Sequence, residues 1–357
     1  MRKKHRILSI NPGSTSTKIA LYEGNDCIMQ HAVDHTHEDL APFEKVADEY
    51  EYRKEAVMKA LEDKGVDLAS LDAISGRGGG GKPVPSGTFR VNEELVDDAK
   101  NARIQHASIL GPMISFELSK ELNIPAFMVD PVNVDEFDEI SRVSGLKDRP
   151  KRSGFHALNH KATARKAASD LKKPYEELNL LVAHVGGGIS VSPHKKGRCI
   201  DVEIPLFSPE RVNPRAFDML ELCFSGEYTK KEIAKLLMGA GGMFTYFKTK
   251  DVRDVEKMIE DGNEEAELVY KAMTYNIAKS VGACYSALKG SVDALVLTGG
   301  IAHSKRFVTW MKDYCNYIDP ILVYPGENEL ESLALGALRV LAGEEKAKMY
   351  PSGKVEE

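Results

Sequence analysis

The chain has 357 residues, of which 42% are hydrophobic and 29% are charged, and a formal net charge of −6. This composition is typical of a globular protein, and the length predicts about two domains. The acidic balance gives no overall basic field for nucleic acid. The five cysteines are scattered without a Cys-x-x-Cys pair, so the sequence indicates neither a disulfide framework nor a zinc site.

The N-terminus carries no targeting or membrane segment by pattern. Residues 1–6 are basic, but the apolar stretch that follows is only Ile7–Ile10, which Asn11 and Pro12 end. That stretch is too short for the core of a signal peptide. No stretch elsewhere approaches the roughly 20 apolar residues of a membrane span. The sequence therefore predicts a soluble, cytoplasmic protein.

The first half of the chain begins with three strands and continues with helices and strands in alternation. Strands are predicted at 7–10, 18–22, 27–35, 71–74 and 126–129. Helices are predicted at 44–64, 93–101 and 109–122.

The second half repeats this order. Strands are predicted at 178–184, 190–193, 198–202, 294–298 and 321–323, and helices at 218–223, 230–237, 252–261, 264–288 and 331–341. The repetition predicts a duplicated α/β fold with a cleft between two domains, 1–150 and 151–330. The C-terminal helix, within 331–345, is expected to complete the first domain.

Two turns rich in glycine and hydroxyl groups occupy corresponding places in the two halves, at Asn11–Lys18 and Gly186–Ser190. A glycine lets the backbone approach a ligand closely, and hydroxyls with backbone N–H groups can hold phosphate oxygens. Neither turn is a Walker A loop or a Rossmann fingerprint. Each alone is consistent with a long hairpin loop. Together with the strand–Gly-Gly junction at Leu297–Ile301, they favour nucleotide binding.

Four further motifs follow in order: Ser75-Gly-Arg-Gly-Gly79, Ser153-Gly-Phe-His156 with Asn159-His160, Ala183–Ser190 and Val296–His303. With Asn11–Lys18, they make nearly the whole chain resemble the acetate and butyrate kinase family, and the butyrate kinases most. The family belongs to the superfamily of sugar kinases, Hsp70 and actin. The resemblance implies a duplicated ribonuclease-H-like fold with two domains around an ATP cleft.

The resemblance also implies an activity. The family transfers the γ-phosphoryl group of ATP to a carboxylate reversibly with Mg²⁺, which makes an acyl phosphate. Here the implied substrate is a short or branched aliphatic acid, with butyrate as the first candidate. The implied cofactors are ATP/ADP and Mg²⁺, and the implied assembly is a homo-oligomer without nucleic acid or membrane partners.

The implied catalytic residues supply charge rather than a base, because a carboxylic acid is already ionised near neutral pH. Arg77 and Arg211 would grip carboxylate or phosphoryl oxygens, and His156 would lie against the transferring phosphoryl group. The alternative for Arg77 is a surface side chain in a loop that has five glycines and little packing. His156 and His160 also permit a metal-ligand interpretation, but no third ligand is close in sequence.

The implied magnesium ligands are Asn11, Asp130 and Glu329. Mg²⁺ commonly uses one or two carboxylates together with phosphates and water. Asp130 precedes a proline, so a turn-forming role is the alternative. Lys18 begins the return strand and is equally consistent with a solvated side chain.

The implied nucleotide contacts come from both turns and from two later motifs. The first turn supplies Gly13, Ser14, Thr15 and Ser16, and the second supplies His184, Gly186, Gly187, Gly188 and Ser190. Asp251 and Arg253 match the family's Asp-x-Arg beside adenine and ribose, although an N-terminal helix charge pair is the alternative. Gly299, Gly300 and Ile301 would close the pocket.

One segment departs from the family pattern. The stretch 201–214 is contracted, Val212-Asn213 replaces a small residue and glycine, and Pro214 removes a backbone donor. The contraction changes the segment that places Arg211, and Arg215 is the alternative catalytic residue. The contraction favours a rival hypothesis, an ATP-binding protein with weak or lost acyl transfer. A sugar kinase, in which Asp130 would act as a base, has no supporting motif.

Overall fold

The computed structural model describes residues 4–102, 105–205, 207–212 and 214–356. The predicted basic residues 1–3 lie outside this part of the chain. The strands are β1 (Arg6–Pro12), β2 (Ser16–Glu23), β3 (Asp26–Asp34), β4 (Ala73–Gly76), β5 (Thr88–Arg90), β6 (Ala126–Val129), β7 (Asn179–Val185), β8 (Ile189–Lys195), β9 (Arg198–Cys199), β10 (Ala294–Gly299), β11 (Ile321–Pro325) and β12 (Lys348–Met349).

The helices alternate with these strands after each antiparallel meander. They are α1 (His37–Leu40), α2 (Tyr50–Asp63), α3 (Glu93–Lys100), α4 (Leu110–Leu122), α5 (Glu139–Arg142), α6 (Ala157–Asp170), α7 (Ala216–Phe224), α8 (Lys230–Leu237), α9 (Met243–Phe247), α10 (Val252–Glu260), α11 (Glu264–Ala287), α12 (Lys305–Tyr314) and α13 (Glu329–Leu341). No helix within the described ranges has the length and apolarity needed to cross a membrane.

Two sheets share one topology, which confirms the predicted duplication. The first has the order β12-β5-β6-β4-β1-β2-β3, and the second has the order β11-β10-β7-β8-β9. In the first, β1 pairs with β2 in antiparallel fashion and with β4 in parallel fashion. In the second, β7 makes the same two pairings with β8 and β10. The β1–β2 and β7–β8 turns are therefore equivalent.

The chain divides into two compact units. The first contains Met1–Glu136, Arg152–Lys161 and Asn328–Glu357, and the second contains Phe137–Lys151 and Ala162–Glu327.

Both faces of the first unit's sheet are covered by helices. Side chains alternate between the faces of a strand, so Leu8 and Ile10 pack in one cluster with Ile114 of α4, while Ile7 packs in another with Ala334 of α13. This packing holds the N-terminus of α13, where Glu329 lies, on the same sheet as β1.

The second unit repeats the arrangement with α11 as its main helix. Met273 and Ile277 of α11 pack with Leu181 of β7 and Leu295 of β10. On the opposite face, Ala164 of α6 packs with Leu180. Since β7 is buried on both faces, its apolar run is nearly continuous, as expected for a central strand.

Most predicted elements are confirmed, two of them with their bounds: β6 at Ala126–Val129 and α8 at Lys230–Leu237. The bounds of other elements differ from the prediction. For example, the helix predicted from residue 44 begins at Tyr50, after a 3-10 turn at Val46–Glu49. The strand predicted at 198–202 pairs only over Arg198–Cys199.

Two helices, α6 and α12, and five short elements, β5, β12, α1, α5 and α9, were missed. The signal for α12 was present, because Ser304 caps that helix by accepting from the Phe307 N–H. The strand β5 has only three residues, too few to show a periodic pattern.

A buried histidine makes the stability of the first unit depend on pH. The Nε2 atom of His35 lies 2.9 Å from Thr17 Oγ1, and its buried Nδ1 has no partner. Burial, and secondarily the Arg53 guanidinium, lower the pKa of His35 to about 4. The folded protein therefore holds this ring neutral, while an unfolded chain protonates it near pH 6.5.

We therefore expect the stability from the neutral His35 ring to be complete above about pH 6.5 and to be lost as the pH falls towards 4. The loss between pH 7 and pH 5 should be about 1–2 kcal/mol. Urea unfolding at each pH measures it. His35→Gln should flatten the profile, whereas the exposed His37→Gln should keep it, and equal profiles for all three proteins would contradict the assignment.

Candidate active site

The first turn is shorter than its sequence suggests. Strand β1 runs through Pro12 and β2 begins at Ser16, so only three residues join them. The Gly13 N–H donates to the Ser16 carbonyl oxygen at 2.7 Å. The other polar residues of 11–18 belong to strand ends, and Lys18 is exposed there. The predicted eight-residue turn is thus wrong in length, because paired strand ends carry polar groups that look like loop residues.

The second turn has the same length and place. Gly186, Gly187 and Gly188 join β7 to β8, and the Gly186 N–H donates to the Gly188 carbonyl at 3.1 Å. Ser190, the second residue of β8, is buried. Both turns are thus tight three-residue connections that expose backbone at the end of a central strand.

Arg53 of α2 lies beneath the first turn, and sequence reasoning missed it. Its guanidinium is 1% exposed and forms an ion pair with Glu49 at 2.7 Å. It donates to the carbonyl oxygens of Gly13 at 2.7 Å and Ser14 at 3.3 Å. The only signal in the sequence was the spacing of Glu49 and Arg53, which matches an i,i+4 ion pair on a helix.

Three predicted site residues meet at the end of β1. Arg77 grips the Glu329 carboxylate with both terminal nitrogens, at 3.0 and 3.1 Å. Asn11 donates to the same carboxylate at 2.6 Å through Nδ2, and its Oδ1 accepts from Arg77 at 3.3 Å. Asn11 is on β1, Arg77 follows β4, and Glu329 begins α13. Glu329, one of the implied magnesium ligands, is therefore part of this cluster.

The glycines around Arg77 are packed, which contradicts the expectation of an open loop. A Cβ on Gly76 would collide with the Gly111 carbonyl, and one on Gly78 would collide with Met128 Sδ. A Cβ on Gly79 would lie 2.5 Å from Ser108 Oγ. The glycines therefore let this backbone lie directly against α4 and β6, and they fix the position from which the Arg77 side chain extends.

Gly111 gives a test of that packing. A Cβ there would collide with the Arg77 carbonyl oxygen, so Gly111→Ala should destabilise the protein by about 1–3 kcal/mol through overpacking. Chemical denaturation measures the change. Gly282→Ala is the matched control in a helix, since its Cβ would meet only Tyr317 Oη at 3.5 Å. The packing argument is wrong if both variants are equally stable.

A small cavity of about 10 Å³ lies beside Arg77 in the first unit. Its lining comprises Arg77, Gly78, Val129, Asp130, Val132, His156, Ala157, Leu158, Asn159 and Glu329. Four predicted catalytic or metal residues, namely Arg77, Asp130, His156 and Glu329, therefore face one space.

Asp130 and its neighbours are held in fixed positions. Asp130 is buried, with a φ of 37°, and its Oδ1 accepts from the Gly87 N–H at 2.7 Å. His106 lies near Arg77, and burial, followed by the Arg77 charge, lowers the pKa of His106. Asp130 therefore has the turn-forming role that was the alternative hypothesis. It also lines the cavity.

The His156–His160 pair does not form a metal site. His160 is buried edge-on against Phe155, with ring centroids 5.2 Å apart, and does not line the cavity. Within the described ranges, no group of three or more histidine, cysteine, aspartate or glutamate side chains could hold a metal ion. His156 is the histidine that faces the cavity.

A second, larger cavity of about 800 Å³ lies in the second unit. Six predicted nucleotide residues line it: Gly186, Gly187, Asp251, Arg253, Gly300 and Ile301. Further lining residues that the sequence did not indicate are Pro209, Lys250, Val252, Glu256, His303, Ser304 and Glu327. A volume within about 300–1,000 Å³ is usual for small-molecule sites.

Four predicted nucleotide residues of the second unit, His184, Gly188, Ser190 and Gly299, do not line this cavity. His184 lies 3.6 Å from Glu327 through Nε2. Gly299, whose Cβ would collide with Val185, instead pairs with Gly326.

Asp251 and Arg253 hold each other at the edge of the cavity. Asp251 caps α10 by accepting from the Arg253 N–H, and its carboxylate pairs with the guanidinium. The hydrogen bonds from Arg253 lower the pKa of Asp251. The helix-start charge pair that was the alternative hypothesis is therefore present, and it is also part of the cavity wall.

The contracted segment runs beside the second turn. Ser208 Oγ donates to the Gly187 carbonyl at 3.0 Å, and Glu210 lies 3.6 Å from Lys250 across the cavity edge. Arg211 is in the second unit, and its buried Nε has no hydrogen-bond partner in the described part of the chain. Leu206 and Asn213 lie outside the described residues. Arg215, the proposed substitute, is exposed and pairs with Asp218.

Comparisons with known proteins agree with this architecture. An acetate kinase from Porphyromonas gingivalis superposes with a TM-score of 0.74 at 20% identity, covering 94% of this chain and all of that one. An acetate kinase from Entamoeba histolytica gives 0.73 at 14% identity, covering 93% and 98%. A propionate kinase from Francisella tularensis gives 0.66 at 19%, covering 92% and 98%.

The fold is therefore the duplicated ribonuclease-H-like α/β fold that these structures have. Residues 147–321 match the sequence profile of the acetokinase family. That match covers 175 of the 357 residues, and the structural matches, at 20% identity or less, show the fold.

Proposed function

We propose that this protein transfers the γ-phosphoryl group of ATP to a short or branched aliphatic carboxylate and so makes an acyl phosphate, reversibly. Butyrate is the first candidate acid. The observation that carries the proposal is that Arg77, Glu329, Asp130 and His156 line one cavity. Asn11 contacts both Arg77 and Glu329 beside it. The acetokinase match supports the reaction class.

Arg77 already binds a carboxylate in the arrangement this chemistry needs. Its two terminal nitrogens hold both oxygens of Glu329, and a substrate carboxylate or a transferring phosphoryl group has the same planar or near-planar pair of acceptors. The acid is ionised near neutral pH, so no general base is required. The site must instead bring two anions, the carboxylate and the phosphoryl group, together and stabilise their negative charge.

Mg²⁺ fits the oxygen donors of the first unit. Asp130 and Glu329 both line the cavity, and Asn11 contacts Glu329. One or two carboxylates with phosphate oxygens and water are a usual set for this ion. When bound, Mg²⁺ would neutralise charge on the phosphates, and Asp130 would hold it while Arg77 keeps Glu329 oriented.

The 800 Å³ cavity of the second unit is the proposed adenosine site. Asp251, Arg253, Gly300 and Ile301 line it. The second turn, whose Gly186 and Gly187 line the cavity, would contact the phosphates through backbone N–H groups. Lys250, which also lines the cavity, adds a cation and lies near Glu210.

The apolar side chains of Val129, Val132 and Leu158 line the cavity beside Arg77. They suit an aliphatic tail. Butyrate differs from acetate by two methylenes, and each buried methylene contributes about 0.8 kcal/mol. Selectivity should therefore be graded, and isobutyrate, valerate and 2-methylbutyrate are the competing acids.

Hydroxylamine trapping tests the proposal, because acyl phosphates react with it to give hydroxamates. Purified protein with MgATP should form ADP and hydroxamate in equal amounts, with rates that rise from acetate to butyrate. Nucleotide binding without hydroxamate from any acid would reject acyl transfer.

That negative result would support the second candidate, an ATP-binding protein of this fold without acyl transfer. The observation favouring it is the contracted 201–214 segment, where the buried Nε of Arg211 has no partner in the described part of the chain. Size-exclusion chromatography with light scattering would separately test the proposed homo-oligomer, which predicts a mass at least twice 39.4 kDa.

A further inference from the structure

The first turn presents two consecutive backbone N–H groups in one direction. The peptide bonds after Gly13 and Ser14 are trans, and in a trans peptide the N–H points opposite to the preceding carbonyl. Both carbonyls accept from Arg53. The N–H groups of Ser14 and Thr15 therefore point away from α2. Within the described ranges neither donates a hydrogen bond, and both residues are exposed.

Arg53 is well suited to fix these two peptide planes. Its guanidinium is planar and rigid, with five donors in a fixed arrangement. Glu49 holds it at 2.7 Å, and a third contact, from Nη1 to Thr17 Oγ1 at 3.3 Å, ties it to β2. The guanidinium is buried and is held by both Glu49 and Thr17. If the carbonyl of Gly13 or Ser14 rotated away, a buried N–H of Arg53 would lose its acceptor, which is costly.

We propose that Arg53 is a positioning residue that aims the Ser14 and Thr15 N–H groups at a phosphate. Successive N–H groups facing one way form an anion-binding concavity. The ligand class is the phosphate of a nucleotide or of the transferring group, so the inference rests on the proposed function. Arg53 does not touch the ligand, because it lies on the opposite side of the same peptide planes.

The variants must separate the orientation of the turn from the burial of a charge. Arg53→Met alone would leave the Glu49 carboxylate without its ion-pair partner. The informative protein is therefore the Glu49→Gln/Arg53→Met double variant, which removes both charges. Arg53→Lys keeps the positive charge but lacks the planar guanidinium with its several donors. It replaces the double variant in the test if the double variant does not fold. Lys54→Met is the matched control: it lies next along α2 and removes an ion pair with Glu121 at 2.9 Å.

The measurement is a ¹H–¹⁵N titration with ADP and, separately, with inorganic phosphate. In the wild type and Lys54→Met, the Ser14 and Thr15 amide signals should shift. In the double variant, ADP affinity should fall at least tenfold, and KM for ATP should rise more than kcat falls. Arg53→Lys should be intermediate. Melting temperatures show whether each variant is folded.

A folded double variant with wild-type ADP affinity and wild-type amide shifts would overturn the inference, and so would a loss of stability alone. The titration does not depend on catalysis. If the wild type forms no hydroxamate, the proposed function fails while the amide shifts still decide the role of Arg53. If hydroxamate forms but the amides of Ser14 and Thr15 do not respond to either ligand, only the inference about Arg53 fails.

Discussion

Arg77→Ala is expected to lower kcat/KM for the carboxylate by about 10²–10³-fold, the usual cost of removing one preorganised donor from a transition state. The guanidinium contacts both Asn11 and Glu329, and it holds the Glu329 carboxylate with two nitrogens. Arg77→Lys keeps a positive charge but cannot form the paired contact, so it should lose most of the same activity. Initial rates of hydroxamate formation measure both variants.

Two controls make this result interpretable. Thermal unfolding shows whether the Glu329 carboxylate, left without its partner, has destabilised the fold. Glu329→Gln with Arg77→Ala removes both charges and should not recover activity if Arg77 acts on the reacting groups. Near-normal turnover in Arg77→Ala would remove this residue from the proposed site.

Asp130→Asn is expected to lower activity by about 100-fold at limiting Mg²⁺, with partial recovery at high Mg²⁺. The substitution removes one negative charge from the cavity. Its fold should be retained, because the asparagine Oδ1 can still accept the Gly87 N–H and asparagine tolerates the positive φ of 37°.

The Mg²⁺ dependence of kcat/KM is the decisive readout for Asp130. A shift of the half-saturating Mg²⁺ concentration with an unchanged KM for the acid would assign the residue to the metal. An unchanged Mg²⁺ profile would show that Asp130 only shapes the turn before Pro131. The Lys54→Met protein again serves as the control, since it alters a surface ion pair on α2.

The sequence predicted the parts of the fold that local pattern encodes. The alternation of β1, β2 and β3, the apolar run of β7 and the periodicity of α11 all follow from side-chain spacing. Asn11, Arg77 and Glu329, which the resemblance implied as site residues, lie together in the structure, although 252 positions separate the last two along the chain.

The parts that could not be predicted depend on contacts between distant segments. Arg53 looks like an ordinary helical arginine until β1 and α2 are packed together. The glycines of residues 76–79 looked like an open loop, because nothing in the sequence shows that Gly111 and Met128 lie against them. Likewise, the contact of Ser208 with Gly187 depends on the path of a contracted segment that has no regular period.

The most direct test of acyl transfer is hydroxamate formation from butyrate and MgATP by the wild type and by Arg77→Ala, measured side by side with ADP release. We predict one hydroxamate per ADP for the wild type and a loss of about 10²–10³-fold for the variant. ADP release without hydroxamate, or equal hydroxamate from both proteins, would contradict a carboxylate kinase that works through Arg77.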